Sequence, residues 1–330
     1  MVNWVEAQKP LLHFLVKKAG LRQQTVEIEP GTVMSFWVPK EKYNKKKNPS
    51  KEVVVPEGKS NESHVNTNDD KKKGEKPAVV LVHGFAAEGI VTWQFQVGQL
   101  TSRYAVYVPD LLFFGGSTTG SADRSPEFQA RCTVAALGRL GVDKFTVVGF
   151  SYGGMVAFKM AEMRPDLVHS LVVSGSVIAM TDSISGQTLN RLGFSSSSEL
   201  LLPESIKGLK ALLSVAAHKK LWFPDRLFKD YLKVMFNNRK ERKELLEGLV
   251  ISNKDAKVPV LPQRILLLWG ENDNIFNMDL AKNMKEQLGE KATLHGIKKA
   301  GHIVPLERPC VYNRCLKQFL ALVHAQGDQV

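Results

Sequence analysis

The sequence predicts an α/β protein: a mostly parallel, doubly wound sheet with a helical segment inserted into it. From Pro77 onward, short continuous apolar runs alternate with helical periodicities, the pattern of strands buried on both faces by connecting helices. Between Ser174 and Pro262 the alternation stops and only helical patterns remain. The pentapeptide Gly149-Phe150-Ser151-Tyr152-Gly153 stands between one of the apolar runs and a helical pattern, the context that a strained strand-to-helix turn requires.

Residues 3–19 read as an amphipathic helix with Trp4, Val5, Leu11, Leu12, Phe14 and Leu15 as apolar members. Strands are expected at 24–29 and 32–38, joined by the turn dipeptide Pro30-Gly31. Residues 40–76 carry 11 Lys and 7 acidic residues and few large apolar ones, so this insertion is expected to be disordered. Further strands are expected at 78–82, 104–108, 145–148, 171–173, 265–269 and 292–297. Helices are expected at 93–100, 125–140, 153–163, 278–288 and 309–325. The interrupted interval shows a Ser-rich stretch, 195–198, and helical segments near 203–219, 224–236 and 238–250. The expected organisation is an N-terminal helix at 1–22, a core at 23–176 and 259–330, and a helical cap at 177–258.

Bulk properties narrow the function classes. No apolar stretch reaches the roughly 18 residues that a membrane-spanning helix needs. No secretory signal is visible at the start of the chain, and three cysteines form no disulfide framework or Cys-x-x-Cys pair, so a reduced, cytoplasmic setting is expected. The net charge is +12, of which +4 lies in 40–76 and the rest is spread without a basic helix or aromatic-basic stripe. That argues against nucleic acid as a partner. No phosphate-binding or dinucleotide fingerprint and no metal-ligand spacing is present, so neither cofactor nor metal is expected.

The chemistry concentrates at four places. A glycine on each side of Ser151 permits a tight turn that lifts the hydroxyl to the sheet tip, beside a helix N-terminus. A serine needs a base, and Gly301-His302 follows the last strand. The base needs an orienting carboxylate, and Asp273 lies in the loop after the strand at 265–269, with Glu271 and Asp279 as rivals. The order Ser151, Asp273, His302 is a known arrangement of nucleophile, acid and base. His83-Gly84-Phe85 follows the first parallel strand. The backbone N–H groups of Phe85 and Tyr152 are the expected oxyanion donors, and His83 is expected to be structural.

With these residues in place, the chain resembles the α/β-hydrolase superfamily from about Gln24 to Phe319, apart from 40–76. The resemblance rests on His83-Gly84-Phe85, Pro109-Asp110-Leu111, the Ser151 turn, Gly270-Glu271-Asn272-Asp273 and Gly301-His302. Within the superfamily it is similar to plant cap-bearing serine hydrolases described as monoacylglycerol-lipase-like, above all in the run Pro109–Ser117. The resemblance implies a triad of Ser151, Asp273 and His302. Serine at position 151 sets the chain apart from relatives with an aspartate nucleophile.

The expected activity is hydrolysis of a carboxylic ester with an apolar acyl or alcohol part through an acyl-serine. The alternatives are a C–C bond hydrolase or lyase using the same triad, and a slow-turnover small-molecule receptor. Trp222, Phe223, Phe228 and Ile303 are the expected pocket residues. The helix at 3–19 is read either as packed on the core or as lying on a membrane, with Trp4 and Phe14 buried in the lipid and Lys9, Lys17 and Lys18 outward.

Overall fold

The turn at Pro30-Gly31 makes the first reversal of the chain in the sheet. Proline before a glycine at φ +81° is the combination that a tight reversal of this kind demands. It joins two antiparallel strands that precede the parallel part. A computed structural model describes residues 3–43 and 76–325 of the 330. Most of the insertion expected at 40–76 lies outside the described residues. Its first residues, Lys40–Lys42, form a short 3-10 turn rather than the disordered chain expected there.

The chain starts with α1 (Trp4–Lys18), then the hairpin strands β1 (Leu21–Glu29) and β2 (Thr32–Pro39). After the insertion come β3 (Ala78–Val82), the short helices α2 (Gly89–Thr92) and α3 (Val97–Leu100), β4 (Ala105–Pro109) and α4 (Pro126–Arg139). Next are β5 (Phe145–Phe150), α5 (Tyr152–Met163), β6 (Val168–Ser174) and the two-residue β7 (Met180–Thr181). Five helices follow: α6 (Asp182–Leu192), α7 (Ser197–Leu201), α8 (Ile206–Ala216), α9 (Asp225–Met235) and α10 (Arg239–Glu247). The chain returns through β8 (Val250–Ile251) to β9 (Arg264–Gly270), α11 (Met278–Leu288), β10 (Ala292–Ile297), α12 (Val304–Glu307) and α13 (Pro309–Ala325).

Eight strands form one sheet in the order β1-β2-β4-β3-β5-β6-β9-β10. The β1/β2 and β2/β4 pairs are antiparallel and the rest parallel. Side chains alternate between two cores, as a two-residue period requires. Val80 and Val82 of β3 point into a core with Phe128 of α4, Phe158 of α5 and Met284 of α11. Val79 and Leu81 point the other way, into a core with Trp93, Val97 and Tyr312 of α13. Helices therefore cover both faces, and the parallel strands read as near-continuous apolar runs because neither face meets water.

Two elements differ from the sequence reading. The helix expected at 93–100 is two short helices. Gly89 starts the first, four residues early, because it lies against Pro109, where a Cβ would come within 2.7 Å of the carbonyl oxygen. The chain then turns at Trp93, whose indole is fully buried, before α3 begins. In the insertion between β6 and β9, α6 was not read from the sequence at all. It is capped by the Thr181 hydroxyl on Ile184 N–H and ends at Gly193 in the left-handed region. The Ser-rich stretch supplies the cap of α7, Ser196 accepting from Glu199 N–H. The parallel β7/β8 ladder, together with a Ser183–Asn253 side-chain bond of 2.7 Å, ties the two ends of this insertion together beside the core.

Candidate active site

The site is assembled at the C-terminal ends of β3, β5, β6 and β9, where open parallel sheets form their crevice. Ser151 follows β5 with φ 54° and ψ −123°, a strained backbone for a residue with a side chain. Ser151 N–H donates to Ser174 O (2.9 Å), and Gly154 N–H donates to Ser151 O (2.8 Å). Gly153 is required for a steric reason: a Cβ there would sit 2.4 Å from the carbonyl oxygens of Val82 and His83. The turn can therefore press against the end of β3, which brings the Gly84–Phe85 backbone close to the nucleophile. A Cβ on Gly84 would lie 3.1 Å from Ser151 Cβ. Tyr152 begins α5, so its N–H belongs to a helix N-terminus.

The structure brings Ser151, His302 and Asp273 together. His302 Nε2 lies 3.0 Å from Ser151 Oγ, and Nδ1 lies 2.9 Å from Asp273 Oδ2. A carboxylate can only accept, so Nδ1 carries the proton and the Nε2 lone pair faces the serine hydroxyl. Asp273 Oδ1 accepts from the N–H groups of Ile275 (2.8 Å) and Phe276 (2.9 Å), which fixes the carboxylate independently of the histidine. The imidazole is flanked by the rings of Phe150 and Phe276, with centroids 5.1 and 5.8 Å away. The rival acids are elsewhere. Glu271 packs beside Gly296, and Asp279 is exposed and paired with Lys282 at 3.2 Å.

His83 is buried against Phe114 and does not reach Ser151. Its Nε2 accepts from Leu111 N–H (2.9 Å) and its Nδ1–H meets Gly84 O at 2.6 Å, so both nitrogens are committed to the two loops that border the site. Burial pushes its pKa down to about 4, so it stays neutral.

Sequence reasoning missed Glu307. Its carboxylate accepts from the N–H groups of Gly301 (2.7 Å), His218 (3.1 Å) and Lys219 (2.6 Å). One side chain thus ties the histidine loop to the end of α8. Its spacing of five residues from His302 carries no local signal, because the partners come from another part of the chain. Arg242 of α10 is the buried arginine of the inserted helices. It is 1% exposed, and desolvation lowers its pKa to about 10. Its guanidinium lies 4.1 Å over the Phe114 ring and donates to the carbonyls of Phe113 and Met235. It is used in anchoring the helices to the loop after β4 and does not line the crevice at Ser151.

That crevice is a narrow apolar slot with a free volume of about 50 Å³. Phe85, Met155, Leu189, Leu200, Leu246 and Phe276 line it, with Ser151 and His302 at its base. Its polar groups are hydroxyls, Ser185, Thr188 and Ser197 among them; no Lys or Arg lines it among the described residues. The four expected pocket residues do not line it. Trp222 is 84% exposed, whereas Phe223, Phe228 and Ile303 line a separate groove beside α1. Trp222 and Phe223 fall on the non-helical link between α8 and α9 and are exposed, whereas Phe228 of α9 and Ile303 before α12 face the groove.

Asp110 carries a further consequence. Its carboxylate accepts from Gly89 N–H (2.9 Å), but burial pushes its pKa up to about 7. In the unfolded chain it titrates at about 4. The folded state therefore holds this proton more tightly. The resulting stability is fully present below about pH 4 and is lost as pH rises through 7, at up to about 1.4 kcal/mol per pH unit. Asp110→Asn is expected to remove that one-proton slope from the pH dependence of urea unfolding; an unchanged slope would mean Asp110 is ionised in the fold.

Comparison with known proteins fits this architecture. A family model described as the α/β hydrolase fold matches residues 77–201. The chain is 27% identical over 290 residues to a 2-hydroxy-6-oxononadienedioate/2-hydroxy-6-oxononatrienedioate hydrolase from Pseudomonas sp, covering 82% of this chain and 96% of that protein. It is 27% identical over 273 residues to monoacylglycerol lipase ABHD6 of Bos taurus, covering 78% of this chain and 79% of the relative. The solved structure of a bacterial membrane phospholipase A superposes with a TM-score of 0.70 at 20% identity, over 96% of this chain and 93% of that one.

Proposed function

We propose that this chain, a member of the α/β-hydrolase superfamily similar to monoacylglycerol-lipase-like esterases, is a serine hydrolase that cleaves a carboxylic ester with an apolar acyl or alcohol part. The observation that carries this reading is the continuous hydrogen-bonded row from Asp273 through His302 to Ser151 at the base of an apolar slot.

Ser151 Oγ attacks the ester carbonyl while His302 Nε2 takes its proton. Asp273 keeps the imidazole in the tautomer that has a free Nε2 and stabilises the cation that forms. The N–H groups of Phe85 and Tyr152 receive the negative charge that develops on the carbonyl oxygen. His302 then passes its proton to the leaving alcohol. In the second half a water, deprotonated by the same nitrogen, releases the acid and frees Ser151. The helical insertion acts as a cap, with α6, α7 and α10 forming the roof of the slot.

The relative from Pseudomonas is named for a dioate. The slot has no Lys or Arg among its described lining residues to receive a second carboxylate, which favours the ester reading over a C–C hydrolase acting on such an acid. Pockets that hold drug-sized ligands measure roughly 300 Å³ or more. The slot is smaller, so it favours short acyl chains, and longer ones require its lining side chains to move. The test is p-nitrophenol release from esters of increasing acyl length. Turnover is expected, with kcat/KM varying by at least about tenfold along the series as methylenes gain or lose contact with the slot. A folded wild type inactive on every ester would reject the esterase in favour of the C–C hydrolase or receptor.

A further inference from the structure

The sequence allows helix α1 either to pack on the core or to lie on a membrane, and its two sides do different things. The inward side is docked. Val16 is buried, and Trp4 N–H donates to Asp230 of α9 at 2.9 Å. Lys9 is not outward as expected but faces Glu88 at 3.4 Å. The outward side carries Trp4, Leu11 and Leu15 at helical spacing, each more than half exposed. Internal packing gives no reason for this stripe.

The stripe borders an apolar groove of about 570 Å³ between α1, α8 and α9. Leu11, Leu15, Phe95, Leu221 and Phe223 all line it and are all exposed, so these residues form one patch rather than scattered surface apolar groups. Trp222 projects beside it. Cations are in excess around this patch: Lys17 and Lys18 end α1, Lys219 and Lys220 precede the 221–223 loop and Arg226 lies over the Trp4 ring, against Glu6 of α1, Asp225 of α9 and the groove-lining Glu307. Apolar aromatic groups ringed by lysines match the apolar interior and anionic headgroups of a bilayer. The inner wall of the groove holds Ile303, next to His302, and Tyr231, whose hydroxyl donates to Ala86 O beside Phe85.

We propose that this face docks the protein on anionic phospholipid bilayers, with Trp4 and Trp222 in the interface and the groove open to an acyl chain. The acyl-chain part rests on the ester reading; the docking part does not. The test uses the full chain carrying Ser151→Ala, sedimented with phosphatidylcholine vesicles with and without phosphatidylserine. Binding is expected on the anionic vesicles. Trp222→Ser and Trp4→Ser are each expected to weaken it about tenfold, since each removes one large apolar side chain from the interface. Lys219→Glu with Lys220→Glu is expected to weaken it by a similar factor on anionic vesicles only.

In the catalytically intact chain, the tryptophan variants keep their turnover of a soluble short-chain ester and lose turnover of a vesicle-embedded one. No binding to anionic vesicles, or binding that both tryptophan variants retain in full, overturns the docking proposal. Docking without turnover of any ester leaves the surface standing and removes the ester reading.

Discussion

Ser151→Ala is expected to lower kcat on any ester the protein turns over by about a million-fold, or about 8 kcal/mol in activation free energy. The size follows from the site acting as one unit. Without Oγ no acyl-enzyme forms, and His302 and Asp273 then hold a lone pair 3.0 Å from nothing that can react. What remains is the contribution of the Phe85 and Tyr152 N–H groups and of binding, about a thousandfold over water. The fold should tolerate the change. Alanine meets the same strain as serine at φ 54°, and the backbone bonds to Ser174 O and from Gly154 N–H are untouched. The measurements are kcat by stopped assay and melting temperature on the same preparation. A melting temperature near wild type with activity within about tenfold would remove Ser151 as nucleophile.

Much of this arrangement was legible because it is local. The fold class follows from apolar runs such as 78–82 and 292–297, whose ends coincide with the strands observed. The nucleophile announces itself because Gly153 must press against β3, a constraint written into five consecutive residues. His302 and Asp273 were placed by their position after the last strands, and they meet the serine because β9 and β10 lie on one side of β5 in the sheet. The remainder depends on contacts between distant segments, which no periodicity reports. The hydroxyls and leucines of α6 and α7 line the slot, but α6 opens on an unremarkable polar run, 182–188, whose helical character depends on capping by Thr181 and packing over the site. The aromatic cluster at 222–228 drew attention as a pocket because aromatic side chains are usually buried. Here Trp222 and Phe223 fall on a link that cannot reach Ser151. Glu307 shows the same limit: its role is defined by three backbone donors from two segments some 80 residues apart in the chain.

Asp273→Asn is expected to lower kcat by about ten-thousand-fold while leaving KM within a small factor. An asparagine at this position keeps the size of the carboxylate. Its oxygen is held by the two donors already present, Ile275 N–H and Phe276 N–H, which claim the position of Oδ1. The amide NH₂ is thereby turned toward His302 Nδ1, where Oδ2 stood at 2.9 Å. A donor facing Nδ1 selects the tautomer with the proton on Nε2, so the imidazole presents N–H to Ser151 and can no longer accept its proton. The two backbone donors decide the direction of the flip, which is why the loss should approach that of the serine variant even though no reacting atom is removed. It should also depend on pH. A serine deprotonated by hydroxide bypasses the misplaced tautomer, so the variant is expected to regain activity as pH rises, whereas Ser151→Ala stays flat. The check is a pH–rate profile of both variants. If Asp273→Asn kept most of its activity near neutral pH, the carboxylate would not be setting the tautomer, and Glu271 in the same loop would be the next residue to replace.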